Sequence, residues 1–568
     1  MARGQRARHG AVSARGMAPA RASAGDGTLF TMRRSWRTAA IILFTFALVA
    51  GGLLGDRLLA LTDQTRDSLR LYTDLVRVAH DRYGAEVSYR DLVYASIQGM
   101  IRTLDPHTTF LVAEEYQGMR EKQQTTYYGL GILVGLRDGM LTVISPLEGT
   151  PGAHLGIRPG DVISSIEGEP TETMTLDEAV SRLKGPKGTQ VHISIARRGL
   201  DKPIEMAVTR AEIPQTTVRL AYMITPTTGY IQVAEFSRGT GSEVAEAIDK
   251  LKGKGMTRLL LDLRGNGGGL LDPAIEVCEE LLPESSTIVE TRGRTRDSFQ
   301  TYKVSTRRAR FDQPLVVLVN DGTASASEIV SGAIQDHDRG LIVGQVSWGK
   351  GLVQTVYTLS YGDGLALTTA KYYTPSGRLI QRDYSSYFDY YTHADAGSPE
   401  VTGKPVPANE IFKTDLGRKV YGGGGITPDV IVEDDKLSAS SQFLRTHNAF
   451  ANFAVDYSRR HPVKSADWRP GPEVIDSFRE WLIHESVGSP EEIQNALSGQ
   501  ETRDYSLLEI RSEIFNISFG QEAGHRARSE GDKQLTAALA QFDKAAALLT
   551  QRRELDRTPA QRAVAGTN

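Results

Sequence analysis

The chain has 568 residues, 40% of them hydrophobic and 24% charged, with a formal net charge of −3. Such a composition excludes a fibrous or wholly disordered protein and exerts no global pull toward nucleic acid, while the length implies roughly two to four domains. One cysteine, Cys278, excludes an internal disulfide and leaves the redox compartment open.

Residues 1–37 are rich in Arg, Ala and Gly and poor in large apolar residues, which reads as a disordered basic N-terminus, with Met17 and Met32 as alternative starts. Residues 38–58 enclose the uncharged run Ala39–Gly55. It is short for a membrane span of ~20 residues and long for a signal-peptide core. Arg33, Arg34 and Arg37 precede it, so the positive-inside rule places residues 1–37 in the cytoplasm and the rest outside. Val49-Ala50-Gly51 is a weak cleavage site, and an uncleaved anchor is favoured over a cleaved signal. The expected location is a bacterial-type inner membrane, with the body of the chain periplasmic, or secreted if the segment is cleaved.

Residues 64–118 carry helical periodicity, with Leu69, Tyr72, Leu75, Val76 and Ala79 on one face. A second helix is predicted from Tyr89 to Leu104, stopping before Asp105-Pro106 because the residue before a proline disfavours helix.

Residues 119–212 read as strands around two helices. Gly129-Leu130-Gly131-Ile132 resembles the G-L-G-F loop of PDZ domains, and Gly156-Ile157-Arg158-Pro159-Gly160-Asp161-Val162-Ile163 and the amphipathic stretch Leu176–Leu183 follow it. The resemblance implies that backbone N–H groups of the loop receive a peptide's terminal carboxylate while the peptide adds to the sheet edge.

From Thr228 the pattern becomes α/β. Tyr230–Val233 and Arg258–Leu263 read as strands, the second almost continuously apolar and suited to a sheet buried on both faces. It leads into Arg264-Gly265-Asn266-Gly267-Gly268-Gly269 and then a helical stretch with Ala274, Ile275, Val277 and Leu281. A glycine loop between strand and helix can offer N–H groups to an anion, but the Walker lysine of a phosphate-binding loop is missing.

Leu315–Val319 is a further apolar strand, ending in Asn320-Asp321-Gly322-Thr323. Ile329, Val330, Ala333 and Ile334 then recur at helical spacing, and Leu341–Val343 leads to Gly349-Lys350-Gly351. This order can bring Ser325 beside Lys350. A serine hydroxyl needs a neighbouring base, and lysine serves only when neutral, its unperturbed pKa of about 10.4 being lowered by burial. Val346, Trp348, Leu352 and Val353 can supply an apolar pocket, and Gln354 shares the strand parity of Lys350 and can hydrogen-bond its amine. Ser325-Ala326-Ser327-Glu328 equally fits a capping box, with Thr323 and Ser327 as rival caps. Asp336-His337-Asp338 invites a triad or a metal site, but has no recognised ligand spacing. Leu365–Tyr373 reads as a strand and Thr374–Arg378 as a turn, and residues 440–568 contain several helical stretches without a reactive constellation.

The S-A-S-E and G-K-G segments resemble the active-site region of the carboxyl-terminal processing peptidases, or tail-specific proteases. On that resemblance Ser325 is the nucleophile, Lys350 the base and Gln354 its support, and Ser327 is a decoy. The family's D-x-R-x-N-x-G-G motif falls on Asp262–Gly269 and implies an oxyanion hole from Gly268 and the Ala326 N–H. Glu328 and Asp336 match positions used near the site. Lys184 matches a basic position that couples module to core. The G-M-x-x-x-L-D-P-H segment, Gly99 to His107, belongs to a region implied to help subunits pair, with His107 read as a turn or packing residue. Gly425-Ile426-Thr427-Pro428-Asp429 matches a family motif displaced by an insertion, Arg382 to Tyr421, that is the main departure from the pattern. The resemblance covers roughly residues 64–435.

The expected fold class is α/β multidomain: a helical N-terminal lead-in (64–118), a PDZ-like β-rich module (119–212), an α/β serine peptidase core (213–438) and a helical C-terminal extension (439–568). The expected function is a serine endopeptidase that recognises protein C-terminal tails and cleaves them outside the cytoplasm, with no metal or cofactor. Expected partners are protein substrates, the membrane through the N-terminal segment, a second copy or higher oligomer, and an adaptor protein. The alternatives are an inactive PDZ scaffold and a hydrolase of another ester or amide.

Overall fold

The computed structural model describes residues 65–123, 126–137, 139–147, 149–305, 311–385, 390, 407–434 and 436–556. The basic N-terminus and the apolar run Ala39–Gly55 lie outside them. No helix among the described residues is long and apolar enough to cross a membrane. The chain divides into two units after Gly99. In the first, residues 65–82 are helical, and a 2.6 Å hydrogen bond between the Tyr72 hydroxyl and Ser96 Oγ ties that helix to the next. The second helix, Tyr89–Ile101, ends three residues before its predicted stop. Asp105 then accepts the N–H groups of His107 and Thr108, each at 2.8 Å, and closes the Asp-Pro-His turn.

The PDZ-like module is an antiparallel sheet in the order Ile132–Arg137, Met140–Pro146, Val162–Ile166, Gln190–Ala196 and Ile204–Thr209. Val191, Ile193 and Ile195 alternate inward, as the period of two requires, and meet Ala179 and Leu183 of the helix Leu176–Leu183. Thr175 and Glu178 close a capping box at the start of that helix.

The core sheet runs Val218–Met223, Thr228–Val233, Arg258–Asp262, Leu315–Val319, Leu341–Gly344 and Val430–Ile431. Its first pair is antiparallel and the others parallel. Leu259, Leu261, Val317 and Val319 face one way, against the helices Thr240–Gly253, Leu271–Leu281 and Ala326–Asp336. Leu260, Val316, Leu318 and Val343 face the other, against Leu535, Ala538, Phe542 and Ala545. The continuous apolar runs follow from burial on both faces. The second layer comes from the far end of the chain, the helices Lys533–Leu539 and Phe542–Asp556. Cys278 is wholly buried, and burial pushes its thiol pKa up.

A second, antiparallel sheet is built on Gly364–Tyr373, which pairs with Thr109–Leu111, Thr287–Gly293 and Leu352–Thr358. The remaining C-terminal helices form their own core around Phe450, Phe453, Phe478, Trp481 and Ile514. The chain is thus a mixed α/β multidomain protein, as expected.

Candidate active site

Ser325 sits where the Leu315–Val319 strand gives way to the helix Ala326–Asp336. Its backbone, at φ 55° and ψ −115°, occupies a region that side-chain-bearing residues rarely adopt. The structure separates the two roles its motif allowed. Glu328 reaches back to the Ser325 N–H at 2.7 Å, but the Ser325 hydroxyl makes no capping bond, and the Glu328 N–H goes instead to the Ser325 carbonyl.

Glu328 does more than cap. The carboxylate oxygen that accepts the Ser325 N–H also accepts the Lys350 N–H at 2.9 Å. The other oxygen accepts the Gly349 N–H at 2.7 Å and the Ser347 hydroxyl at 2.5 Å. Burial raises the Glu328 pKa and these four donors oppose the rise. On the carbonyl side the Tyr372 hydroxyl donates to the Ser325 carbonyl at 3.0 Å and also meets the Lys350 carbonyl. The main chains of Ser325 and Lys350 are therefore held together from both sides by buried groups.

The Lys350 amine donates to Gln354 Oε1 at 3.1 Å, and Gln354 Nε2 donates to the His107 carbonyl at 2.5 Å. A carbonyl only accepts, so His107 fixes the amide orientation and leaves the Gln354 oxygen toward the lysine. Shared strand parity is not what aligns the pair. Lys350 precedes the strand, which begins at Leu352, and a register shift falls at Val353/Gln354. Burial lowers the Lys350 pKa, while the charges of Glu328 and Asp105 raise it. Among the described hydrogen bonds none joins Ser325 Oγ directly to Lys350 Nζ, and substrate-free geometry alone does not rule out a base.

Gly268 lies against the serine: a methyl in place of its hydrogen would fall 2.7 Å from Ser325 Cβ and 2.9 Å from the Ala326 nitrogen. Its own N–H is committed to Asn266 Oδ1 at 2.9 Å. Ser327 turns away and donates to the Asn266 carbonyl at 3.0 Å, a packing role. His337 bonds Asp415 and the Thr287 carbonyl, Asp336 pairs with Arg378, and Asp338 with Arg418, so the D-H-D run splits among separate partners.

In the module, the Leu130 carbonyl accepts the Gly152 N–H, and the Gly131 carbonyl accepts from Leu147 N–H and Thr150 Oγ1. Gly131 has φ 70°, and a Cβ there would strike the Thr150 side chain at 2.2 Å, so only glycine fits. Ile132 starts the sheet's edge strand. Gly129 ends a short strand paired with Ala211–Pro214. Lys184 lies over the Tyr127 ring, 5.1 Å from its centroid, in a cavity of about 720 Å³ shared with Tyr116, Arg120, Thr358 and Gly362. It makes none of the described hydrogen bonds around Ser325 and Lys350.

Two sequence models match the chain: Peptidase family S41 over residues 227–385 and PDZ domain over residues 142–197. The carboxy-terminal-processing protease of Bartonella bacilliformis is 39% identical over 326 residues, 56% of this chain and 73% of that protein. The carboxyl-terminal-processing protease of Synechocystis sp. is 40% identical over 301 residues, 52% of this chain and 69% of its own. The carboxy-terminal processing protease CtpA of Bacillus subtilis is 33% identical over 489 residues, 84% of this chain and 99% of that relative. The chain belongs to the carboxy-terminal-processing proteases of peptidase family S41. It is a serine-type peptidase, and the similarity to the Bacillus protein extends beyond residues 64–435.

Two residues of this processing protease's site were not singled out from the sequence, and a third was given another role. Tyr372 read only as a strand residue, and its reach to two carbonyls has no local signature. His107 read as a turn residue, yet its carbonyl orients Gln354, and its Nε2 lies 2.5 Å from the Tyr390 hydroxyl. Tyr390 comes from the insertion and also accepts from Trp348 Nε1 at 3.3 Å.

Proposed function

We propose that this processing protease cleaves protein tails with a Ser325–Lys350 dyad outside the cytoplasm, guided by carboxylate capture in the PDZ module. The observation that carries the dyad is the double tie of Ser325 and Lys350 through the Glu328 carboxylate and the Tyr372 hydroxyl. Neutral Lys350 takes the Ser325 proton as Oγ attacks the scissile carbonyl. The oxyanion forms beside the Ala326 N–H at the helix start, with Gly268 as second donor once its N–H leaves Asn266. The Lys350 ammonium then protonates the departing amine, and the neutral lysine returns to deprotonate the water that releases the acyl group from Ser325. Gln354 holds the amine in place through both halves of the cycle.

The chain's tail-binding end is the loop Gly129–Ile132 at the start of the edge strand, where N–H groups meet a terminal carboxylate and the peptide extends the sheet. The extracytoplasmic assignment is supported by the apolar run Ala39–Gly55 with arginines on its N-terminal side.

Incubation with an unstructured protein tests the reading. Ser325→Ala is expected to abolish cleavage and, lacking a cap to lose, to alter stability by no more than ~0.5 kcal/mol. Ser327→Ala should keep substantial turnover, losing one hydrogen bond worth about 1 kcal/mol. Undiminished cleavage by Ser325→Ala would remove the nucleophile assignment.

A further inference from the structure

The glycine loop that flanks Ser325 begins at Arg264, and Arg264 is gripped from the opposite end of the chain. Its Nε and Nη2 bond the wholly buried Asp262, two residues earlier. Asp262 Oδ1 also accepts the Arg264 N–H at 2.9 Å. That ring is local and by itself fixes the loop to nothing beyond its own strand.

Beside the bonds in which Asn320 Oδ1 accepts the Gly265 N–H at 2.8 Å and the Val233 carbonyl accepts from Asn266 Nδ2 at 2.9 Å, Asp532 anchors Arg264 itself from outside. Its carboxylate meets Arg264 Nη1 at 3.1 Å and Nη2 at 2.8 Å, and Gln534 Oε1 accepts from Nη1 at 3.1 Å. Neither anchor is loose. Asp532 caps the helix Lys533–Leu539 through the Leu535 N–H at 2.8 Å, and Gln534 Nε2 donates to the Val432 carbonyl at 2.9 Å. That helix packs on the core sheet through Leu535 and Ala538. From the same region His525 bonds the Tyr222 hydroxyl at 2.9 Å and lies 3.3 Å from that of Tyr230, which in turn donates to Asp262. Charge-assisted bonds to a planar guanidinium fix direction as well as distance. Two residues beyond Arg264 is Asn266, whose carbonyl accepts the Ala324 N–H and the Ser327 hydroxyl, each at 3.0 Å, on either side of Ser325, and Gly268 packs on Ser325.

We propose that the C-terminal extension is part of the catalytic apparatus, and that Asp532, aided by Gln534, is a positioning residue that sets Arg264 and hence the Gly265–Gly269 loop against Ser325. The inference rests on the Ser325 reading above. Asp532 touches no reacting atom. It acts by keeping the oxyanion side of the site in register, where displacement by an ångström can cost on the order of a hundredfold in rate.

Asn and Ser are as good at a helix N-cap as Asp but carry no charge for Arg264, so Asp532→Asn and Asp532→Ser separate capping from positioning. Both are expected to lower kcat about 10- to 100-fold with KM and Tm near wild type, and to weaken a peptide aldehyde, which mimics the tetrahedral state, in proportion to kcat. Arg264→Lys, which keeps the charge and loses the fork, should do the same and serves if an Asp532 variant fails to fold. Wild-type kcat in these variants, or a loss that appears only with a fall in Tm, overturns the inference. A parallel Ser325→Ala assay separates the failures. Cleavage that persists without Ser325 defeats the nucleophile reading, whereas cleavage that needs Ser325 but ignores Asp532 and Arg264 defeats only the positioning role.

Discussion

In the proposed dyad Lys350 takes a proton only when neutral, so the charges around it would set the pH at which the enzyme works. Burial lowers its pKa from the usual 10.5, and the negative charges of Glu328 and Asp105 oppose that fall. Asp105 is the one to neutralise, because asparagine retains an oxygen for the His107 and Thr108 N–H groups and the Thr368 hydroxyl and gives up only the bond from the Thr108 hydroxyl. A nearby negative charge favours the ammonium form; without it the amine sheds its proton more readily. Asp105→Asn is therefore expected to move the rising limb of the kcat/KM–pH profile to lower pH, and a shift to higher pH would contradict the lysine assignment. His107 does not confuse the reading. Burial, and after it the Lys350 charge, push its pKa down to about 4, so it stays neutral across the range where the limb is measured.

The strand, turn and helix around Ser325 were legible, because five consecutive apolar residues and a run of small ones are local signals. What joins the elements was not. Glu328 looked like half of a capping box, and nothing nearby discloses that its other partners lie in the Gly349-Lys350 turn. Asp105-Pro106-His107 announced a turn, but not that the turn would meet Gln354, 247 residues away. The second layer on the core sheet had a signal: strands apolar on both faces demand a cover, and the helical C-terminal stretches were available to provide it. The glycine loop allows a direct test of how closely loop and helix fit. Gly268→Ala places a methyl 2.7 Å from Ser325 Cβ and 2.8 Å from the Ala324 carbonyl oxygen, at φ 99°. We expect at least a hundredfold loss of kcat/KM, comparable to removing an oxyanion donor. Activity within a few-fold of wild type would show that the loop can move away from Ser325 at no catalytic cost.

Across the whole molecule the PDZ module is held by elements distant in sequence. Arg198 pairs with Asp456 at 2.8 Å and Glu485 at 2.6 Å, and Arg459 donates to the Arg198 carbonyl at 2.6 Å. The C-terminal extension thus contacts both the module and Arg264. If the loop around Gly131 receives a terminal carboxylate, amidating a substrate's C-terminus removes the charge it recognises. A bond to a charged group contributes about 1.5–3 kcal/mol, so capture should weaken roughly 10- to 100-fold. Equal binding of amidated and free-acid peptides, measured on the full chain with Ser325→Ala to prevent cleavage, would refute carboxylate capture.

The burial of Cys278 has a practical consequence for following these contacts. The chain's sole thiol is sealed inside the helix Leu271–Leu281, with burial holding it in the unreactive protonated form. A cysteine introduced at Leu200, exposed just beyond the Arg198–Gly199 turn, would be the single site open to a thiol-directed dye, with no native residue removed first. Fluorescence from that position would report whether a bound tail loosens the module from the C-terminal helices or leaves it in place.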